Sequence, residues 1–314
     1  MSLIRLGILV SVMIALDPSL SNGGASCQDE KKNKKGKLKD GRNQSTGKQN
    51  PLQDPDLKRY GIYANTAPRA AAVEGVQTTL PLKFTKGDRI ALVGNTLLDR
   101  SRLFGYWESM IQQGFPDHRL VVRHLAWSAD TSKLQPRPAN FADLEQHLAH
   151  EKVDVILAAF GFNESFQGID GLDDFRDELT AFLRSVKTKS FNGKSAPRVV
   201  LISPIANENI RGVDAADRNN ERIKMYVDLM REVSVEQEVG FADVFSETQK
   251  EMRSQGTDLT INGCHLTEEG YALFARTLYR ELFGQQEPVV NEVLRKVVID
   301  KNRQYFRRFR PLNT

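Results

Sequence analysis

Three side chains able to carry chemistry, a hydroxyl, a carboxamide and an imidazole, stand at separate turns of this chain. They are Thr96 in "RIALVGNTLLDR" (89–100), Asn163 in "FGFNESF" and His265 in "TINGCHLTEEGYALF". A Thr at a strand-to-helix corner can present its hydroxyl to a substrate carbonyl or cap the helix behind it. Thr96-Leu97-Leu98-Asp99 fits the capping pattern, with a short acid at the third position. Asn163, followed by Glu164, also reads as a turn residue after a buried strand, and His265 beside Cys264 as a histidine opening a helix. Cys264 itself reads as a small buried filler. His147 and His150 lie three apart on a polar helical stretch with no third ligand in view, so no metal site is expected there.

The elements that would position these groups follow from periodicity. Strands are expected at 89–95, 118–127, 153–161, 198–205 and 239–245, each nearly continuous in apolar residues. Between them run helical patterns such as Phe175, Leu179, Phe182, Leu183 and Val186, which share one face. Apolar strands separated by crossover helices predict a mostly parallel five-stranded sheet in a three-layer α/β/α sandwich. Ligands of such folds bind beyond the carboxyl ends of the strands. There lie Gly94, Asn95 and Thr96, then Ser128 to Thr131, then Gly161, Phe162 and Asn163, with His265 before the final helix. Thr96, Asn163 and His265 thus point to one shared site.

A chain of 314 residues with 40% hydrophobic residues has room for one sizeable domain with appendages. Residues 1–26 read as a secretory signal: Arg5, the apolar run "LGILVSVMIAL", and a small-residue flank ahead of Cys27. Asp17 and Pro18 close that run too early for a membrane span. Gly24 stands where a lipoprotein cleavage box wants Leu or Val, which argues against lipidation of Cys27. The expected location is the periplasm or the extracellular space. Cys27 lies in or beside the segment expected to be removed, so the mature domain keeps Cys264 as its lone thiol, which excludes a disulfide framework, and no Cys-x-x-Cys pair suggests zinc or haem. Residues 28–50 carry eight Lys or Arg against three acids; removing that +5 from the chain's net +4 leaves −1 for residues 51–314, Arg5 and Asp17 cancelling. A nucleic-acid footprint is absent from the folded part. The basic stretch belongs to a disordered linker and N-terminal extension expected over 27–84, open to peripheral contact with an anionic envelope surface. The domain proper is expected over 85–285 and a helical basic tail over 286–314.

The blocks around Thr96, "HLAWSADT" (124–131), Asn163 and His265, in this order and at these strand ends, resemble the SGNH (GDSL-like) hydrolase superfamily, over residues 85–283. The resemblance implies a flavodoxin-like sandwich and, by position, a nucleophile at Thr96. It also implies an oxyanion hole from Thr96, Ala129 and Asn163, and a final pair at Asn262 and His265. This chain reads Gly-Asn-Thr for Gly-Asp-Ser, Ala for the second-block Gly, and Asn-x-x-His for Asp-x-x-His. "GNTLLDR", "HLAWSADT" and the tail "KNRQYFRRFRPLN" also resemble divergent exported planctomycete-type members. The implied function is hydrolysis of a carboxylic ester, an acyl group on a carbohydrate or other envelope molecule, with neither metal nor organic cofactor. Thr96 would attack, His265 would move the proton, and Asn262 would orient the imidazole without lending it charge. Two rivals stay open: a degenerate SGNH-fold protein that binds a sugar or acyl ligand without catalysis, and an adaptor that tethers a partner through its basic segments.

Overall fold

The computed structural model describes residues 69–138, 141–254 and 256–310. Strand β1 (Ala71–Ala72) precedes β2 (Arg89–Gly94), α1 (Thr96–Ser101), α2 (Tyr106–Gly114), β3 (Val121–His124), α3 (Leu144–His150) and β4 (Val155–Ala159). After a 3₁₀ segment (Glu164–Gly171) come α4 (Leu172–Lys187), β5 (Lys189–Ser190), β6 (Arg198–Ile202) and α5 (Ala216–Glu236). The chain ends through β7 (Gly240–Ala242), α6 (Phe245–Arg253), α7 (Glu268–Phe283) and α8 (Glu292–Phe309). The five strands expected from apolar runs are β2, β3, β4, β6 and β7, and they form one parallel sheet in the order β3-β2-β4-β6-β7. This is the flavodoxin-like order, whose switch point falls between β2 and β4.

The period-two geometry of a strand sends neighbouring side chains to opposite faces. Ile90 and Leu92 of β2 therefore enter one core, with Trp107, Met110 and Ile111 of α2 and Tyr271, Phe274 and Leu278 of α7. Ala91 and Val93 enter the other, with Leu148 of α3, Phe175, Leu179 and Leu183 of α4, and Tyr226 and Met230 of α5. The α4 residues named from helical spacing are all buried. Both faces of the sheet are covered, so its strand interiors carry almost no polar side chains.

The packed unit takes in chain on either side of 85–285. Ala71 and Ala72 pair antiparallel with Ser190 and Lys189, Thr78 Oγ1 accepts from the Val199 N–H at 3.0 Å, and Leu82 joins the first core. At the other end α8 buries Val298 and Asn302, and the Asn302 amide donates to buried Glu108 on α2 at 3.1 Å. The expected signal (1–26) and the basic stretch (28–50) lie outside the described residues.

Candidate active site

Gly94 ends β2 at φ 122°, and a Cβ built there would lie 2.1 Å from the Ala159 carbonyl of β4. Only glycine allows this approach, which brings the first and third site turns together. The chain then enters α1. Asn95, not Thr96, is its cap: the Asn95 carboxamide oxygen accepts from the Leu97 N–H at 3.1 Å. Thr96 is the first helical residue, so the capping expectation for Thr96 is corrected. Capping is a property of the half-in residue with extended backbone, and here Asn95 has that backbone.

Released from capping, Thr96 Oγ1 accepts the Ala129 N–H at 3.2 Å. Ala129 has φ 66°, the left-handed region that costs a residue with a Cβ roughly 1–2 kcal/mol. A glycine would sit there freely, so the Ala–Gly difference in the second block is a backbone matter and leaves the donor in place. Asn163 begins the turn after β4; its side chain caps nothing and reaches the Asp130 carbonyl at 3.5 Å. Next to it the buried Glu164 carboxylate accepts from the Gly161 and Ser132 N–H groups at 2.9 and 3.1 Å. It thereby ties the second and third site loops together, and burial holds its carboxyl above the usual range.

Asn262 to His265 form a tight turn through Gly263 at φ 84°, where a Cβ would meet the Glu208 carbonyl at 2.9 Å. The Glu208 carboxylate fixes the approach by accepting from the Leu259 and Thr260 N–H groups at 3.0 and 2.7 Å. Asn262 Oδ1 accepts the His265 backbone N–H at 3.0 Å and lies 3.0 Å from His265 Nδ1. The backbone donor fixes which end of the carboxamide is oxygen. A proton on Nδ1 then donates to Oδ1 and leaves Nε2 as the free base. Burial, and then the nearby Arg100 charge, hold the imidazole below its ordinary pKa. Cys264 departs from the expected buried filler: it is half-exposed, and its Sγ sits 3.3 Å from His265 Nδ1. Burial pushes its thiol up, which favours the neutral form beside the imidazole.

Thr96, Asn163 and His265 line one cleft, with Asn95, Leu97, Phe162, Pro204, Cys264 and Tyr271 among the other wall residues. The cavity is about 90 Å³. Tyr271 OH donates to the Leu97 carbonyl at 3.0 Å and joins α7 to α1. Among the described residues no hydrogen bond joins Thr96 to His265; the Thr96 hydroxyl is met by Ala129 instead. His147, singled out with His150, packs on the rings of Phe309 and Phe141 at 4.6 and 5.2 Å. Sequence reading missed Asn95, Glu164 and Glu208. Asn95 carried a signal, since Asn is among the best N-caps; the carboxylates Glu164 and Glu208 carried none, because each braces a loop distant in sequence.

Residues 86–273 match the model of the GDSL-like lipase/acylhydrolase family. Among solved structures the chain is similar to the acetylxylan esterase Axe2 of Geobacillus stearothermophilus. The identity is 18%, covering 64% of this chain and 96% of that one, at a TM-score of 0.52. A single-residue variant of that esterase matches at 17% identity, 67% and 100% coverage, and a TM-score of 0.52. Likeness at this level concerns the fold. No curated protein matches the chain in sequence. The family match spans more than half of the chain and takes in every site turn described above, so this protein belongs to the GDSL-like lipase/acylhydrolase family of the SGNH hydrolase superfamily.

Proposed function

We propose that this protein is an exported carboxylic ester hydrolase that removes a small acyl group, with Thr96 as nucleophile and His265 as base. The observation that carries the reading is the convergence of Thr96, Asn163 and His265 on one small cleft at the switch point of the sheet. Thr96 Oγ1 attacks the ester carbonyl while His265 Nε2 takes its proton and returns it to the departing alkoxide; the same nitrogen then takes a proton from water, which releases the acyl group as the acid and restores Thr96. The negative oxygen that develops is met by the Thr96 N–H, the Ala129 N–H and the Asn163 amide. The first N–H groups of a helix have no partner within it, and the helix N-terminus favours negative charge. Each such donor is worth about 2.7–4 kcal/mol of barrier. Asn262 orients the imidazole and adds no charge to it.

The cavity of about 90 Å³ suits a short acyl group such as acetyl. The fold shared with an acetylxylan esterase supports a carbohydrate or other envelope alcohol on the leaving side. Export rests on the apolar run of residues 6–16. One observation favours a second reading, a degenerate site that binds a sugar or acyl ligand: the Thr96 hydroxyl is engaged by Ala129 rather than by His265. Initial rates on p-nitrophenyl acetate and acetylated xylo-oligosaccharides separate the two. His265→Ala and Thr96→Ala should abolish turnover, while Thr96→Ser, which removes a methyl that stiffens χ1, should keep or raise kcat. Hydrolysis that survives His265→Ala would overturn the assignment.

A further inference from the structure

Helix α8 lies beyond residue 273, where the family match ends, yet the residue that closes it reaches the chain just before Ala129. Arg310, the residue that closes the helix, donates through Nη2 to the Ala126 carbonyl and through Nη1 to Asp99 Oδ1 at 3.3 Å. Its guanidinium lies 3.9 Å from the centre of the Trp127 ring. Arg137 covers the same indole at 4.5 Å and holds Asp130 with two bonds of 2.9 and 2.7 Å. Asp99, one turn after Thr96 on α1, accepts the Ser128 hydroxyl at 2.8 Å.

Residues 126, 127, 128 and 130 are thus each held by a side chain from elsewhere. The one left between them is Ala129, in the left-handed region at φ 66°, with its N–H on Thr96 Oγ1. A non-glycine residue keeps such a backbone only where its surroundings over-determine it. Arg310 supplies two of those constraints, and it couples the loop to Asp99 on the helix that carries Thr96.

We propose that Arg310 is a positioning residue, and that α8 is the clamp that keeps the Ala129 N–H aimed at the reacting oxygen. The catalytic half of this inference rests on the hydrolase reading above; the clamp itself does not. Arg310→Ala should free the loop and lower kcat by about 10- to 100-fold, the scale of a donor displaced by up to about an ångström rather than lost, with KM changed by less than about twofold. Ala129→Gly removes the reason the loop needs holding. Its gain in kcat should therefore be larger in the Arg310→Ala background than in the wild type, by at least about threefold, which a general loss of stability would not produce.

The experiment measures kcat and KM for wild type, both single variants and the double variant. Amide hydrogen exchange over residues 126–130 is followed on the same four proteins. Arg310→Gln, which keeps the stem and an amide donor, replaces Arg310→Ala if the latter fails to fold. Faster exchange with lowered kcat, relieved by Ala129→Gly, is the expected result. Unchanged exchange overturns the clamp. Faster exchange with unchanged kcat overturns the positioning role. If the wild type hydrolyses no ester, the hydrolase reading fails, and exchange alone decides the clamp.

Discussion

Asn262→Asp tests how the site handles charge. The two terminal atoms of Asn262 lie 3.0 and 2.9 Å from His265 Nδ1, so an aspartate in that rotamer would place its carboxylate directly against the ring. Unit charges about 4 Å apart interact by about 4 kcal/mol at an effective dielectric of 20 and by about 1 kcal/mol in bulk water. Asn262 is exposed and His265 half-buried, which sets the gain nearer the lower figure, at about 2 kcal/mol. That corresponds to about 1.5 pKa units. In the wild type, burial and then the Arg100 charge hold the imidazole below its ordinary pKa. The new carboxylate should raise it, moving the acid limb of kcat/KM up by about 1–1.5 pH units. The same term stabilises the imidazolium in the transition state and should raise kcat by roughly 10- to 30-fold. This falls short of the roughly 10⁴ lost in the handicapped serine protease triad, where the acid is buried. The assay is initial rate against pH, from about 4 to about 9, for both proteins on one ester. An acid limb that stays put would show that residue 262 does not act on His265. A fall in kcat with the fold intact would show a site rebuilt around a neutral amide.

Two further predictions concern stability. Gly94→Ala should cost about 3 kcal/mol or more, or prevent folding, because its Cβ would sit 2.1 Å from the Ala159 carbonyl at φ 122°; a wild-type melting midpoint would disprove the close approach of β2 and β4. His147 is held down to about 4 by burial, then by the charges of His150 and Arg137. A histidine whose pKa is lower folded than unfolded takes up its proton on unfolding, so its contribution is lost as pH falls from about 6.5 towards 4. With part of the ring open to solvent the loss should be about 2 kcal/mol. His147→Phe, which forfeits no hydrogen bond of the buried Nε2 to any of the described residues, should remove that loss. Urea unfolding at pH near 7 and near 4.5 checks it, and equal acid destabilisation in both proteins would refute the assignment.

Strand and helix identity was legible in the sequence wherever burial imposes a period. The runs at 89–95 and 153–161 could be central strands because parallel strands covered on both faces need apolar residues at every position. The placing of Thr96 and Asn163 at strand ends followed from those boundaries, His265 was placed by the helical pattern after it, and chain order carried the family resemblance. Which residue did what at each turn was not legible. Asn95 and Thr96 are both good caps by residue type, and only the backbone angles assign the cap to Asn95. Position 129 reads as a plain Ala; its left-handed backbone shows only in the structure, where Arg310, Arg137 and Asp99 hold the residues on either side of it. Glu164, Glu208 and Arg310 act on loops about 30, 50 and 180 residues away in the chain, through contacts that no local pattern encodes. Local sequence settles what depends on the solvation and backbone of neighbouring residues. The aim of a hydrogen-bond donor depends on chain segments that meet only after the sheet has formed, and tertiary structure alone decided it.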